Sequence, residues 1–310
     1  MPTATVRDAT FYYIDEGAGD PVLFIHGLTW DHTLWENQVA ALRDDYRCIA
    51  VDLIGHGQTP DVDHEYSFFD LADYMAAFLH SIGVPSAHIV GLSMGGMTAM
   101  PMALEHPHSV RSLALLDTDA QPESAEKVAA YGQLGQAVLA MGWQAVAEPV
   151  ANMLFGAPYL SDPASKAAVV EKLAANDMEA VAGRALRTVT NRVDVLDRLG
   201  IISVPTTVIV GELDIATTPD RAGGDRGGHP GRETGAHPRG RAPLAPGKPR
   251  GRDGGAAGAS RPGGVREAAA RAPRARRARQ QDEHGGTEAR RDQRRDISVP
   301  RRLCVRRSSA

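Results

Sequence analysis

Four short apolar runs dominate the first 120 residues: PVLFIHG, YRCIAVDL, AHIVGLS and VRSLALLD, each bounded by Gly, Pro or charge. They are rich in Val, Ile and Leu and lack polar alternation. That is the composition of strands buried on both faces, as parallel strands covered by helices must be. Between the runs, Leu71, Ala72, Met75, Phe78 and Leu79, and later Met97, Met100 and Leu104, recur at helical spacing. Strand and helix in alternation predict an open α/β, mostly parallel sheet over residues 1–120.

From about Gln121 to Val195 the strand signal stops. Ala-rich segments such as SKAAVVEKLAANDMEAVAGRALRTV read as helices separated by Pro and Gly, so residues 121–195 are expected to form a helical lid above the sheet. Trp143, Met153, Phe155 and Tyr159 within it read as core side chains rather than substrate wall. VPTTVIVG then returns as one more buried strand, making residues 196–219 a core strand followed by an acidic turn. The N-terminal stretch carries no basic segment followed by an apolar run, and nothing approaches the roughly 18 apolar residues of a membrane span. With two cysteines, Cys48 in a strand-like run and Cys304 far from it, the expected location is cytoplasmic, with no membrane partner.

Chemistry enters at Gly91-Leu92-Ser93-Met94-Gly95, which follows the apolar run AHIV and precedes the helical pattern MGGMTAMPMALEH. The five-residue pattern is weak alone, but a strand before it and a helix after it are the context a nucleophile elbow needs. Gly91 and Gly95 suit a turn too tight for Cβ atoms. A serine at a helix N-terminus also sits where amides favour developing negative charge.

At these residues the chain, from about Thr5 to Pro219, resembles the α/β-hydrolase superfamily, and GLSMGG resembles its 3-oxoadipate enol-lactone hydrolase branch. The resemblance implies an α/β-hydrolase fold and a cofactor-free reaction, with Ser93 attacking an ester, lactone or other activated acyl group of a small molecule. His26-Gly27 closes the strand PVLFI where the family places its oxyanion loop, so the amides of Leu28 and Met94 would hold the oxyanion. Asp52-Leu53-Ile54-Gly55-His56-Gly57 matches the family's D-x-x-G-x-G turn, with His56 structural. Asp214, after the strand TTVIV, stands at the usual acid position, and Asp117, closing SLALLD, is the rival acid. C–C bond hydrolases and cofactor-free haloperoxidases share such a triad. Epoxide hydrolases and haloalkane dehalogenases normally use Asp as nucleophile, which Ser93 disfavours. The histidines form no H-x-x-x-H or H-E-x-x-H spacing, so no metal is expected.

Beyond Asp220 the character changes. Only six of the last 90 residues are Ile, Leu, Met or Val, none is aromatic, and 16 of the 32 glycines lie there. Ordering backbone costs roughly 1–2 kcal/mol per residue, more than so little apolar surface offsets. Residues 220–310 are therefore predicted to be a disordered basic tail, leaving the fold without its last strand and helix. The tail has 23 basic against nine acidic residues, in a chain of net charge −4. Such asymmetry ordinarily suggests a polyanion-binding arm. Arms of that kind interleave aromatics with arginine, however, and this one has none, so no nucleic-acid partner is expected.

The tail also lacks the family's histidine motif. His229, His237 and His284 have no strand pattern before them, and none matches the position of the general base. Read one nucleotide later, the codons of residues 229–249 permit IPGARLVLIPGAGHLSPLE(N/S)P, a strand followed by a histidine loop of the family's form. The sequence thus predicts a change of reading frame between codons 219 and 229, with two of three triad residues ahead of it.

Overall fold

The computed structural model describes residues 2–211, Asp214, Ala216, Thr217 and the backbone of 233–237. The chain opens with a hairpin, β1 (Thr3–Val6) and β2 (Ala9–Glu16), turning at Arg7 with φ 55°. Phe11, Tyr12 and Tyr13 are all buried, so β2 lacks a clean alternation of apolar and polar residues. The apolar runs then follow as strands with helices between them. They are β3 (Asp20–Ile25), α1 (Glu36–Leu42), β4 (Tyr46–Val51), α2 (Phe68–Ser81), β5 (Ala87–Leu92), α3 (Met94–Glu105) and β6 (Val110–Leu116).

Helices fill the next stretch: α4 (Ala125–Met141), α5 (Ala147–Leu154), α6 (Ala157–Leu160), α7 (Pro163–Ala174), a π-helical segment (Met178–Ala185) and α8 (Leu186–Thr190). The chain rejoins the sheet as β7 (Thr206–Gly211). The strand order is β1-β2-β4-β3-β5-β6-β7-β8, where β8 is Glu233–His237; the pairs β1–β2 and β2–β4 are antiparallel and every pair from β4–β3 onward is parallel.

The last strand corrects the expectation that the sheet ends at β7. The backbone of Glu233–His237 forms β8, parallel to β7 with Thr207 opposite Glu233 and Gly211 opposite His237. A ladder is made of backbone groups, and the open edge of β7 accepts any extended segment that can present them. Apolar content is not required. The rest of the expected tail, including His229 and His284, lies outside the described residues.

The core is built on the two faces of the sheet. Helix α2 begins with a capping box, in which Ser67 accepts from the Asp70 amide and Asp70 accepts from the Ser67 amide. It buries Leu71, Met75, Phe78 and Leu79, the stripe expected from the spacing. Phe78 packs at 5.9 Å from Phe11 and 5.1 Å from Tyr13, ring centroid to centroid. Among the described residues no helix is long and apolar enough to cross a membrane.

Phe78→Ala removes the aromatic centre of that face and is expected to cost about 3–5 kcal/mol in urea unfolding. Arg43→Ala breaks only the exposed 2.7 Å ion pair with Glu16, and should cost less than about 1 kcal/mol. Equal losses in the two variants would contradict this placement of the core.

Candidate active site

Ser93 stands between β5 and α3 with φ 50° and ψ −112°, a conformation that costs a non-glycine residue of order 1–3 kcal/mol. The surroundings hold it there. Its amide donates to Leu116 O at 2.8 Å on the neighbouring strand, and its carbonyl accepts from the Met97 amide at 2.9 Å and from Thr118 Oγ1 at 2.8 Å. The side chain caps nothing in α3, which leaves its hydroxyl for other work.

Two glycines make the turn possible. A Cβ on Gly95 would lie 2.1 Å from Ile25 O, and one on Gly91 would lie 2.5 Å from the backbone of Gly95. Backbone atoms cannot yield to such contacts, so α3 can start this close to β3 and β5 only with glycine at both places.

The loop after β3 runs beside the serine: a Cβ on Gly27 would sit 3.5 Å from that of Ser93. Leu28 lines the same cavity, and Met94, wholly buried, supplies the first amide of α3. The first amides of a helix have no intrahelical partner. His26 is not free to act here. It is fully buried, its Nδ1 pairs with Gly27 O at 2.8 Å and its Nε2 accepts the Leu53 amide at 2.9 Å. Burial pushes its pKa down to about 3, so it is a neutral brace between two loops.

His56 is likewise buried, with Nδ1 on Ile54 O at 2.9 Å, which fits the structural role read from the D-x-x-G-x-G turn. Asp52 of that turn accepts the amides of His32 and Gln58 at 2.6 and 2.9 Å. From the lid side, Lys172 pairs with Asp31, and Asn176 donates to Thr29 O at 3.0 Å. Residues 29–31 are thereby tied to α7.

Both candidate acids reach the cavity. Asp117 follows β6 at φ 44° and accepts the Gly211 amide on Oδ1 at 2.8 Å, while its buried Oδ2 has no donor among the described residues. Asp214 accepts the Ala216 and Thr217 amides on Oδ1 at 2.7 and 3.0 Å. Burial, helped by the neighbouring Asp214 carboxylate, pushes Asp117 up to about 7. Burial also raises Asp214, against the opposing pull of its two amide donors. The sequence presented these aspartates as alternatives; in space they are a pair. Contact between the ends of two adjacent strands is a signal that sequence spacing does not carry.

Helical residues roof the cavity. Trp143, Met153 and Phe155, read from sequence as core, line it together with Leu134 and Val181, while Tyr159 stacks behind Phe155 at 5.5 Å. A buried aromatic is core and wall at once where a cavity borders the core. Among the described residues, no histidine lines this cavity. His237 lies in β8, of which only the backbone is described. The strained serine, the first amide of α3 and the two buried acids thus lie around one cavity.

Comparison with known proteins bears on the fold and the family. A family model described as alpha/beta hydrolase fold matches residues 20–226. Haloalkane dehalogenase of Mesorhizobium japonicum is 35% identical over 113 residues, which are 36% of this chain and only 37% of that protein. 3-Oxoadipate enol-lactonase 2 of Acinetobacter baylyi is 28% identical over 221 residues, covering 70% of this chain and 80% of the relative. Among solved structures, a thermophilic esterase from Thermogutta terrifontis aligns with TM-score 0.71 and 28% identity, over 79% of this chain and 90% of that one.

The buried carboxyl makes a stability prediction. Asp117 holds its proton to higher pH when folded than when unfolded, so its contribution is full below about pH 4 and is lost as pH rises through 7. Asp117→Asn keeps the acceptor for Gly211 and removes the titration. Relative to the unsubstituted chain, it should gain stability in urea unfolding as pH rises from about 4 to about 7, and level off above that. A difference that does not change with pH would contradict the protonated, buried state of Asp117.

Proposed function

The chain belongs to the alpha/beta hydrolase fold family, and on that premise we propose that it is a serine hydrolase of esters, lactones or similarly activated acyl compounds. The observation that carries this reading is the strained Ser93 between β5 and α3, with Leu28 and Met94 beside it. Ser93 Oγ adds to the acyl carbonyl carbon as its proton passes to a histidine base, and the amides of Leu28 and Met94 receive the oxyanion. Collapse expels the alkoxide as alcohol, protonated by the same imidazole. Water activated by that base then frees the acid and restores the serine. Asp214, with Asp117 against it, orients and charge-balances the imidazole. None of these steps draws on a cofactor.

Serine at the elbow favours ester and lactone chemistry over dehalogenation. The likenesses to an esterase and an enol-lactonase point the same way. The cavity holds about 130 Å³, close to the roughly 150 Å³ of an engineered cavity that admits benzene. Small acyl groups fit that volume.

The histidine is the piece in the other reading frame. The shifted codons permit RLVLI over residues 233–237, the same five positions that pair with β7 as β8. The histidine so permitted falls at codon 242, five residues past that strand, where the resemblance puts the histidine loop. A second reading, a hydrolase-fold protein defective in turnover, is favoured by the lack of a histidine lining the cavity among the described residues.

Two measurements separate these readings. Restoring the frame upstream of codon 229 should raise p-nitrophenyl acetate turnover by as much as about 10⁶, the scale on which loss of the base silences a serine triad. Ser93→Ala in the restored chain should remove that gain, and activity surviving the substitution would sink the serine mechanism. Nucleotide sequencing across codons 219–249 should find the degenerate positions in the choices the shifted strand and histidine loop require. Other choices would end the frame hypothesis.

A further inference from the structure

We propose that the Ser93 cavity takes acyl groups that are uncharged or cationic and rejects those bearing a free carboxylate. This rests on Ser93 being the nucleophile, and it deepens that reading to a class of substrate. The acidic side chains lining the cavity are Asp117, Glu123 and Asp214, beside the phenol of Tyr131, and among the described residues no Lys, Arg or His joins them.

The nearby cations are already engaged and stand behind the lining. Arg192, buried, donates from Nε to Gln121 O at 2.8 Å and from Nη1 to Glu123 Oε1 and Val189 O at 2.9 and 3.0 Å. Its Nη2 lies 4.0 Å from Asp119. Lys127 donates to Ala216 O at 2.6 Å and is 3.8 Å from Glu123. Arg192 is thus taken up by Glu123 and Asp119, and Lys127 by Glu123 and the Ala216 carbonyl, so neither cation is presented to the cavity.

The remaining wall is apolar, with Trp30, Trp143 and Phe155 prominent. A substrate carboxylate entering it would give up its hydration without gaining a cationic partner, and would meet like charge. A neutral acyl chain exchanges water for aromatic contact instead. Discrimination here comes from an unfavourable element set against the wrong substrate as much as from attraction to the right one.

The test needs no turnover. Trp30 and Trp143 face the cavity, so tryptophan fluorescence of the full chain carrying Ser93→Ala reports occupancy directly. Methyl 4-oxopentanoate and monomethyl succinate have the same length and shape, and differ in a methyl ketone against a carboxylate. At pH 8 the ketone should bind at least tenfold tighter. Glu123→Gln should narrow that gap threefold or more, and Asp117→Asn should do the same if the Glu123 substitution disturbs Arg192. Equal or tighter binding of the succinate monoester overturns the proposal. Failure of the serine reading is seen separately, as ester hydrolysis that persists in Ser93→Ala, and leaves the two ligands' relative binding still measurable.

Discussion

Close backbone approach between the start of α3 and the ends of β3 and β5 is the constraint on which the rest depends. With Gly95 a Cβ's width from Ile25 O, and Gly91 against the first turn of α3, the helix can begin directly over the sheet. That approach forces Ser93 into positive φ and aims its side chain away from the strand it follows. It also places the first amide of α3 beside the loop after β3. Strain is kept at this point because the Ser93 amide donates to Leu116 O while its carbonyl accepts from the Met97 amide and Thr118 Oγ1. Site and fold are therefore one problem, since relaxing the turn would remove the packing of α3 on the sheet.

Electrostatics supplies the second layer. The lid closes an apolar roof over the serine, and burial beneath it raises both Asp117 and Asp214. An imidazolium formed next to such a pair would be stabilised strongly, because a buried anion lacks competing water. The same two carboxyls, with Glu123, make the cavity hostile to anions. On the proposed reading, selectivity and orientation of the base draw on one arrangement of acids, and a substitution that alters one should be felt in the other.

The parallel core and the elbow were legible in the sequence because each rests on local pattern. Strand runs such as AHIV and the glycines around Ser93 state their geometry within a few residues. Asp214 was legible for the same reason, standing directly after TTVIV. What stayed hidden depends on contacts between distant segments. The pairing of Asp117 with Asp214, the brace from Asn176 to Thr29 O, and the double role of Trp143 and Phe155 as core and wall all arise between residues far apart in the chain. The hairpin β1–β2 carries three successive aromatics that blur its alternation, so local pattern does not announce it. β8 was missed because its ladder depends on backbone groups and on the waiting edge of β7, with no apolar run to announce it.

The central claim is that Ser93 is a nucleophile whose base lies in the shifted frame. It is tested most directly by intact-protein mass spectrometry after exposure to diisopropyl fluorophosphate, which reports a reactive serine without requiring knowledge of the substrate. The account predicts one phosphoryl adduct in the frame-restored chain, on the peptide containing Ser93, formed orders of magnitude faster than in the chain as it stands. Equal rates in the two chains, or an adduct on any other residue, would contradict it.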